Sequence, residues 1–244
     1  MIKYLFLLIF FLNAQIILDG NRSSFWGASS PGCGSFAVGD IAHEDWDGTD
    51  DLTWTDNVFG GTVDDNESTV PSGECEFQTN WLQITIPSGS EARAQTYTDL
   101  ESAQATFYAR FTIYIDSEGL ADGETRYIFQ AITTASVGDG TDCAIQIIQT
   151  SGQLYFNLSI GTVLRDTYAI SIQTAYTIEI YCSNSAPGWE WKIDGVSAGS
   201  GSNDPEIDFQ RFKFGQYNNF NPNIPIDFMI DNFDLDDTWL GGEQ

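Results

Sequence analysis

The sequence is poor in positive charge. Nine Lys and Arg stand against 35 Asp and Glu in 244 residues, a formal net charge of −26 at pH 7. A surface of that sign repels nucleic-acid phosphates and anionic lipid headgroups, which excludes nucleic acid and membrane surfaces as main partners. It favours solubility, divalent cations and a medium salty enough to screen the charge. Helical periodicity is also missing. No stretch sustains it for ten residues, and only Glu101–Ala105 suggests a single helical turn. There is one histidine, His43, and no Gly-x-Ser-x-Gly element accompanies it, so His43 beside Glu44 reads as a surface residue rather than a base. Four cysteines occur without any Cys-x-x-Cys pair, which argues against zinc.

What the sequence does contain is alternation. Phe107, Ala109, Phe111, Ile113 and Ile115 are apolar and interleave with Tyr108, Arg110, Thr112 and Tyr114. Successive strand side chains point to opposite faces, so this run is a half-buried strand. The pattern recurs in Cys143, Ile145 and Ile147, then, after the turn at Thr150-Ser151-Gly152, in Leu154, Phe156, Leu158 and Ile160. It continues in Tyr176, Ile178, Ile180 and Cys182, and in Trp189, Trp191 and Ile193 before Asp194-Gly195, a hairpin signal because both residues tolerate positive φ. Shorter strands are expected at Trp81–Ile86, Tyr127–Ile132, around Phe209, Phe212 and Phe214, and at Ile226–Leu235, and residues 57–75 read as a polar loop or two short strands. With 17 Phe, 10 Tyr and 7 Trp and no long Ala/Leu/Lys/Glu stretch, the class is all-β, a string of antiparallel strands joined by hairpins in one domain of a size that β-sandwiches commonly reach.

Met1–Ala14 carries one Lys, a short apolar run and a small residue before Gln15, the pattern of a signal peptide, with an uncleaved apolar segment as the other reading. The expected organisation is residues 1–14 as that peptide, 15–43 as an irregular arm and 44–240 as the sandwich. The chain is thus expected to be secreted, extracellular or at the cell surface, with no membrane insertion once the peptide is removed. In an exported chain four cysteines form disulfides in one of three connectivities. Cys143 opening one core strand and Cys182 closing another favours Cys143–Cys182, with Cys33–Cys75 as the second bridge. Asn21, Asn66 and Asn157 match the glycosylation sequon, which matters only in a eukaryotic secretory pathway.

The succession of motifs resembles a known superfamily. An acidic, Trp-bearing opening at Glu44–Trp54 precedes the Phe107–Ile115 strand and a Gly152-Gln-Leu-Tyr-Phe156 hairpin. Tyr176-Thr-Ile-Glu-Ile-Tyr181, Trp189-Glu-Trp-Lys-Ile-Asp-Gly-Val196 and a closing Phe228-Met-Ile-Asp-Asn-Phe-Asp-Leu235 follow. This order, over roughly residues 40–240, resembles the concanavalin A-like lectin/glucanase superfamily, close to laminin-G-like jelly rolls. The resemblance implies two stacked antiparallel sheets, the concave one often binding glycans and often accompanied by a structural calcium ion. First and last strands lie side by side in such folds, which points to Glu44 or Asp45 with Asp231 as Ca²⁺ ligands.

Three functions fit that architecture, because fold alone does not settle function. The leading expectation is non-catalytic carbohydrate binding to a polysaccharide or glycan, with Tyr108, Tyr114, Tyr155, Tyr181 and Tyr217 as a stacking platform for sugar rings. A glycan-degrading enzyme is the second. Glu206-Ile-Asp208-Phe-Gln210 resembles the carboxylate run of family 16 glycoside hydrolases, but Gln210 or Arg211 stands where the further acid is needed, so one of the two required carboxylates is missing. A lyase-like grouping of Tyr108, Arg110 and Tyr114 on one strand face is the other enzymatic candidate, and no catalytic residue is assigned. The third is a structural subunit of a surface layer, filament or virion, with self-association through the 15–43 arm.

Overall fold

The computed structural model describes residues 42–44, 46, 52–67, 81–89, 92–132, 143–161, 163–184, 188–202, 208–216 and 224–236. Cys33 and Cys75, Asp45, Glu206, Tyr217, Asn21 and the side chains of His43, Glu44 and Asn66 lie outside the described residues.

Every regular element among those residues is a strand. In chain order they are β1 (Ala42–Glu44), β2 (Thr55–Phe59), β3 (Thr62–Glu67), β4 (Trp81–Ile86), β5 (Arg93–Gln104), β6 (Thr106–Glu118), β7 (Thr125–Ile132) and β8 (Cys143–Thr150). They continue as β9 (Gln153–Ile160), β10 (Val163–Ile170), β11 (Ala175–Ser183), β12 (Trp189–Ile193), β13 (Val196–Gly201), β14 (Phe209–Gln216) and β15 (Ile226–Asp236). The helical turn expected at Glu101–Ala105 does not form: Glu101–Gln104 continue β5, where Gln104 opposes Phe209 of β14. Residues 57–67 resolve into β2 and β3, which belong to different sheets.

The strands form an antiparallel two-sheet sandwich. The first sheet runs β13-β12-β11-β6-β15-β4-β3, with β1 added beside the end of β15. The second runs β10-β9-β8-β7-β14-β5-β2. Two hairpins follow from turn chemistry legible in the sequence. Ser151 and Gly152 take φ of 53° and 78° between β8 and β9, and Asp194 and Gly195 take 51° and 72° between β12 and β13, the left-handed pair that a two-residue hairpin requires.

The core is aromatic and lies between the sheets. Phe107 and Phe111 of β6 meet Phe129 of β7 and Phe209, Phe212 and Phe214 of β14, with ring centroids 4.7–6.4 Å apart across these contacts. Most are tilted or edge-on, the arrangement that sets a ring's positive edge on its neighbour's negative face. Trp46, Trp54 and Phe233 extend the seam, with Trp54 5.9 Å from Phe214 and 5.8 Å from Phe233. Trp189 and Trp191 are also in this core, as their phase with Ile193 indicates. The Cys143–Cys182 disulfide bolts β8 of the second sheet to β11 of the first.

β15 needs a device to contribute to that core along its whole length. Ile226, Phe228 and Ile230 face inward, yet the next apolar residues are Phe233 and Leu235, one position out of phase. A register shift between Asp231 and Asp234 absorbs the extra residue, with Asn232 at φ 51°. The bulge returns Phe233 and Leu235 to the core and keeps Asp234 and Asp236 out of it. Asn232→Val, a β-branched residue forced left-handed, is expected to lower the unfolding free energy by roughly 1–2 kcal/mol. Asn232→Gly is expected to stay within about 1 kcal/mol of wild type. Urea denaturation of the two variants measures the difference.

Candidate functional site

Because the rings fill the interior, most polar residues of the strands lie on the two outer faces; Thr96, Thr98 and Arg126, in register with core residues Phe214, Phe212 and Ile147, are buried exceptions. Each face carries one candidate constellation.

On the first sheet, cross-strand register assembles a row of alternating charge. Asp234 of β15 lies opposite Arg110 of β6, Arg110 opposite Glu179 of β11, and Glu179 opposite Lys192 of β12. His43 of β1 takes the register position beside Asp234. A parallel row runs Asp236, Tyr108, Tyr181, Glu190. The Arg110 guanidinium donates to Asp234 Oδ2 from Nε at 3.1 Å and from Nη2 at 2.5 Å, while Asp234 is 1% exposed.

Three of the expected sugar-stacking tyrosines are here. Tyr108 and Tyr181 are direct cross-strand partners, and Tyr114 lies farther along β6, packed with Trp81 and Met229. They point away from the core, as the alternation indicates, but are only 4%, 8% and 8% exposed, so they make no open platform. The Tyr108 hydroxyl is hydrogen-bonded to the Glu179 carboxylate, and burial, reinforced by the Glu179 charge, pushes its pKa far above the ordinary tyrosine value. A phenol held this firmly in its protonated form is a poor general base. Burial pushes the Glu179 carboxyl up to about 7 despite the opposing pull of Lys192 and Arg110, and burial lowers Lys192 to about 8 despite Glu190 and Glu179. Desolvation outweighs the mutual attraction at both ends of the pair.

The would-be carboxylate run near the C-terminus is used structurally. Asp208 accepts a hydrogen bond from Asn184 Nδ2 at 2.7 Å, Gln210 donates to the Leu100 carbonyl, and Arg211 makes a two-point ion pair with Asp99 at 2.6 and 2.7 Å.

β1 and β15 are neighbours, the geometry on which the Ca²⁺ reading depends. Asp231 is buried, and its carboxylate accepts from the Asn232 backbone N–H at 2.8 Å and from Asn232 Nδ2 at 3.0 Å. Among the described residues no three acidic, His or Cys side chains gather as a metal site. Asp234, the other acid of the bulge, faces Arg110 instead.

The second sheet presents a different surface. Ser159 of β9 lies opposite Ala144 of β8, Ala144 opposite Gln130 of β7, and Gln130 opposite Lys213 of β14. One step along, Asn157 opposes Gln146, which opposes Tyr127. Tyr97 of β5 flanks Lys213, and Gln95 flanks Gly215, where an added Cβ would meet the Ala94 carbonyl at 2.4 Å. The floor is built from small and amide side chains, with Ala144, Gln130, Asn157 and Ser159 all buried. Half-buried Tyr155, Tyr127 and Tyr97 stand around it, and the Arg211 guanidinium lies 4.3 Å over the Tyr97 ring. Asn157 Oδ1 and Ser159 Oγ are buried without a hydrogen-bond partner. Asn157, the first residue of one sequon, is 3% exposed at the floor of this face.

Of the expected binding residues, then, Tyr155 stands apart from Tyr108, Tyr114 and Tyr181 on the opposite sheet. The amides of the second sheet escaped the sequence reading. Their signal was present, as Gln95, Gln130, Gln146 and Asn157 occupy polar positions of alternating strands, but which strands share a sheet is not encoded locally.

With two stacked antiparallel sheets in this strand order, the chain has the fold of a jelly-roll β-sandwich, the architecture that the concanavalin A-like resemblance implies. No protein-family model matches it, and no curated protein matches it. Among solved structures it is similar to a cellulose-induced protein, Cip1, at TM-score 0.56 and 17% identity over 80% of this chain and 97% of that one. It is also similar to the alginate lyase AlgAT5 from polysaccharide lyase family 7, at TM-score 0.50 and 10% identity over 75% and 94%. A third structure concerns botulinum neurotoxin type C, whose cell entry depends on interaction with two ganglioside molecules. There the TM-score is 0.54 and the identity 14%, over 81% of this chain and 47% of that one. At these identities the likeness carries the fold.

Arg110 gives the test of the first-sheet row. Arg110→Ala leaves the buried Asp234 carboxylate uncompensated and is expected to cost roughly 3–5 kcal/mol of stability. The double change Arg110→Met with Asp234→Leu is expected to cost much less, and a double-mutant cycle in denaturant separates the two outcomes.

Proposed function

We propose that this chain is a secreted glycan-binding sandwich that takes a polysaccharide segment across the outer face of its second sheet. The observation that carries the reading is the pair Asn157 Oδ1 and Ser159 Oγ, buried and unpartnered on one strand face. A buried polar atom left unsatisfied costs about 1–3 kcal/mol, a cost that a ligand hydroxyl would remove once the side chains covering the two atoms move aside to admit it. The surroundings suit a sugar, with amides at Gln130, Gln146 and Gln95 to bond hydroxyls and Tyr127, Tyr155 and Tyr97 to stack on C–H faces. The row from Ser159 to Thr55 of β2 crosses six strands, roughly 24 Å at about 4.8 Å per strand, a span suited to a chain of sugars rather than a single one. The roles of the similar structures, a lyase of alginate and a toxin whose cell entry depends on gangliosides, agree with a carbohydrate ligand.

Binding is preferred to catalysis because, in the lyase-like grouping on the opposite sheet, Tyr108 and Tyr114 are buried and Arg110 is engaged with Asp234. Ser159→Ala removes one unpartnered hydroxyl. It is expected to leave thermal stability unchanged or slightly raised while weakening glycan binding about tenfold, the equivalent of one lost hydrogen bond of about 1.4 kcal/mol. Calorimetry with the best ligand from an array of plant and marine polysaccharides measures it. Wild-type affinity in Ser159→Ala and Asn157→Ala, or no binding by the wild type at all, removes the reading.

The proposal includes a structural Ca²⁺ held by Glu44 or Asp45 with Asp231, supported by the adjacency of β1 and β15. Ligand binding to the native state adds stability by mass action, so EDTA is expected to lower the melting temperature by several degrees. An unchanged melting curve, with no calcium by elemental analysis, eliminates the ion.

A further inference from the structure

The glycan-binding reading leaves the first-sheet charge row without a role. Glu179 sits at its centre, 4% exposed, with Oε2 making no hydrogen bond. From β6 it faces Tyr108, its hydrogen-bond partner, and Arg110. From β12 come Lys192 opposite and Glu190 diagonally, and its own strand adds Tyr181 on the same face. Beyond β6, β15 contributes Asp234, committed to Arg110, and Asp236, beside Tyr108. Arg110 is thus shared with another carboxylate, as Lys192 is with Glu190, and neither cation serves Glu179 alone.

We propose that Glu179 is a proton-operated latch, neutral and hydrogen-bonded to Tyr108 with the outer face of the first sheet closed in mildly acidic surroundings, and ionised with that face loosened above neutrality. Ionisation places a fourth carboxylate among Asp234, Asp236 and Glu190 and the two shared cations, in a region with little water to solvate it. The part expected to yield is the β11–β12–β13 flank, which lies at the edge of the sheet. The direction follows from where the proton is held more tightly. Folding raises the Glu179 value from 4.5 to about 7, so its stabilising contribution is complete below about pH 4.5, declines as pH rises towards 7, and levels off above that.

The test compares wild type with Glu179→Gln, an amide that mimics the protonated acid. Between pH 4.5 and 8 the melting temperature of the wild type is expected to fall relative to Glu179→Gln by roughly 5–10 °C. Over the same range, the protection of β11 and β12 amides, after division by the base-catalysed intrinsic exchange rate, is expected to fall in the wild type only. Tyr108→Phe removes a hydrogen bond that favours the carboxylate and is expected to move the wild-type midpoint upward. Parallel pH profiles for wild type and Glu179→Gln overturn the latch. Should Glu179→Gln fail to fold, the carboxyl ¹³C resonance of Glu179 in the wild type decides: a midpoint near neutrality supports the latch, and one near 4.5 ends it.

Discussion

The interlocking of aromatic rings between the sheets is the constraint from which the rest of the structure follows. Phe107, Phe111, Phe129, Phe212, Phe214 and Phe233 each touch at least two other rings, so the seam cannot be divided into independent contacts. A large ring buried against water-free neighbours contributes several kilocalories that truncation would lose, together with the cavity left behind. That seam fixes the phase of every strand that enters it. β15 keeps its phase by placing Asn232 in a left-handed bulge, and were those residues to run on as regular strand Asp234 and Asp236 would be aimed at phenylalanine rings.

Fixing the phase inside also decides what lies outside. The polar half of each strand is exported to an outer face, and the two faces differ in kind. The first is ionic and nearly closed, its charges matched strand by strand from Asp234 to Lys192. The second is amide-rich, its charges confined to Lys213 and the Arg211–Asp99 pair in the rows described, with the buried Asn157 Oδ1 and Ser159 Oγ lacking a hydrogen-bond partner. Buried polar atoms without a hydrogen-bond partner occur on both faces, Glu179 Oε2 and Thr112 Oγ1 on the first and Asn157 Oδ1 and Ser159 Oγ on the second, and what sets the second apart is its run of amides with half-buried tyrosines around them. This division is why the glycan reading belongs to the second sheet although most of the expected tyrosines are on the first.

The Cys143–Cys182 bridge joins the faces through the core, between β8 beneath the amide floor and β11 beneath the charge row. Pinning these strands limits how far the sandwich can shear when either face changes state. In a chain carrying −26 charges, self-repulsion works against compactness, and a covalent tie across the core opposes it.

Much of the fold was legible locally because strand periodicity and turn chemistry are local properties. The Phe107–Ile115 alternation, the Asp194-Gly195 turn and the inward phase of Trp189 and Trp191 needed only neighbours in sequence, and the same alternation announced which cysteines end core strands. The run Glu101–Ala105 misled because its residues tolerate a helix, while pairing of Gln104 with Phe209 of a distant strand makes it β. Tyr108, Tyr114 and Tyr181 could be assigned to the non-core face from sequence, but not their burial, which depends on Trp81, Met229 and the charged rows packed around them. Strand order was decided only in three dimensions. Glu179 and Arg110 are 69 positions apart and Asn157 and Gln146 only 11, yet each pair is adjacent through the same rule of register. Sequence alone sets which side of a strand each residue occupies, and pairing energies summed over the whole sheet set which residues meet there.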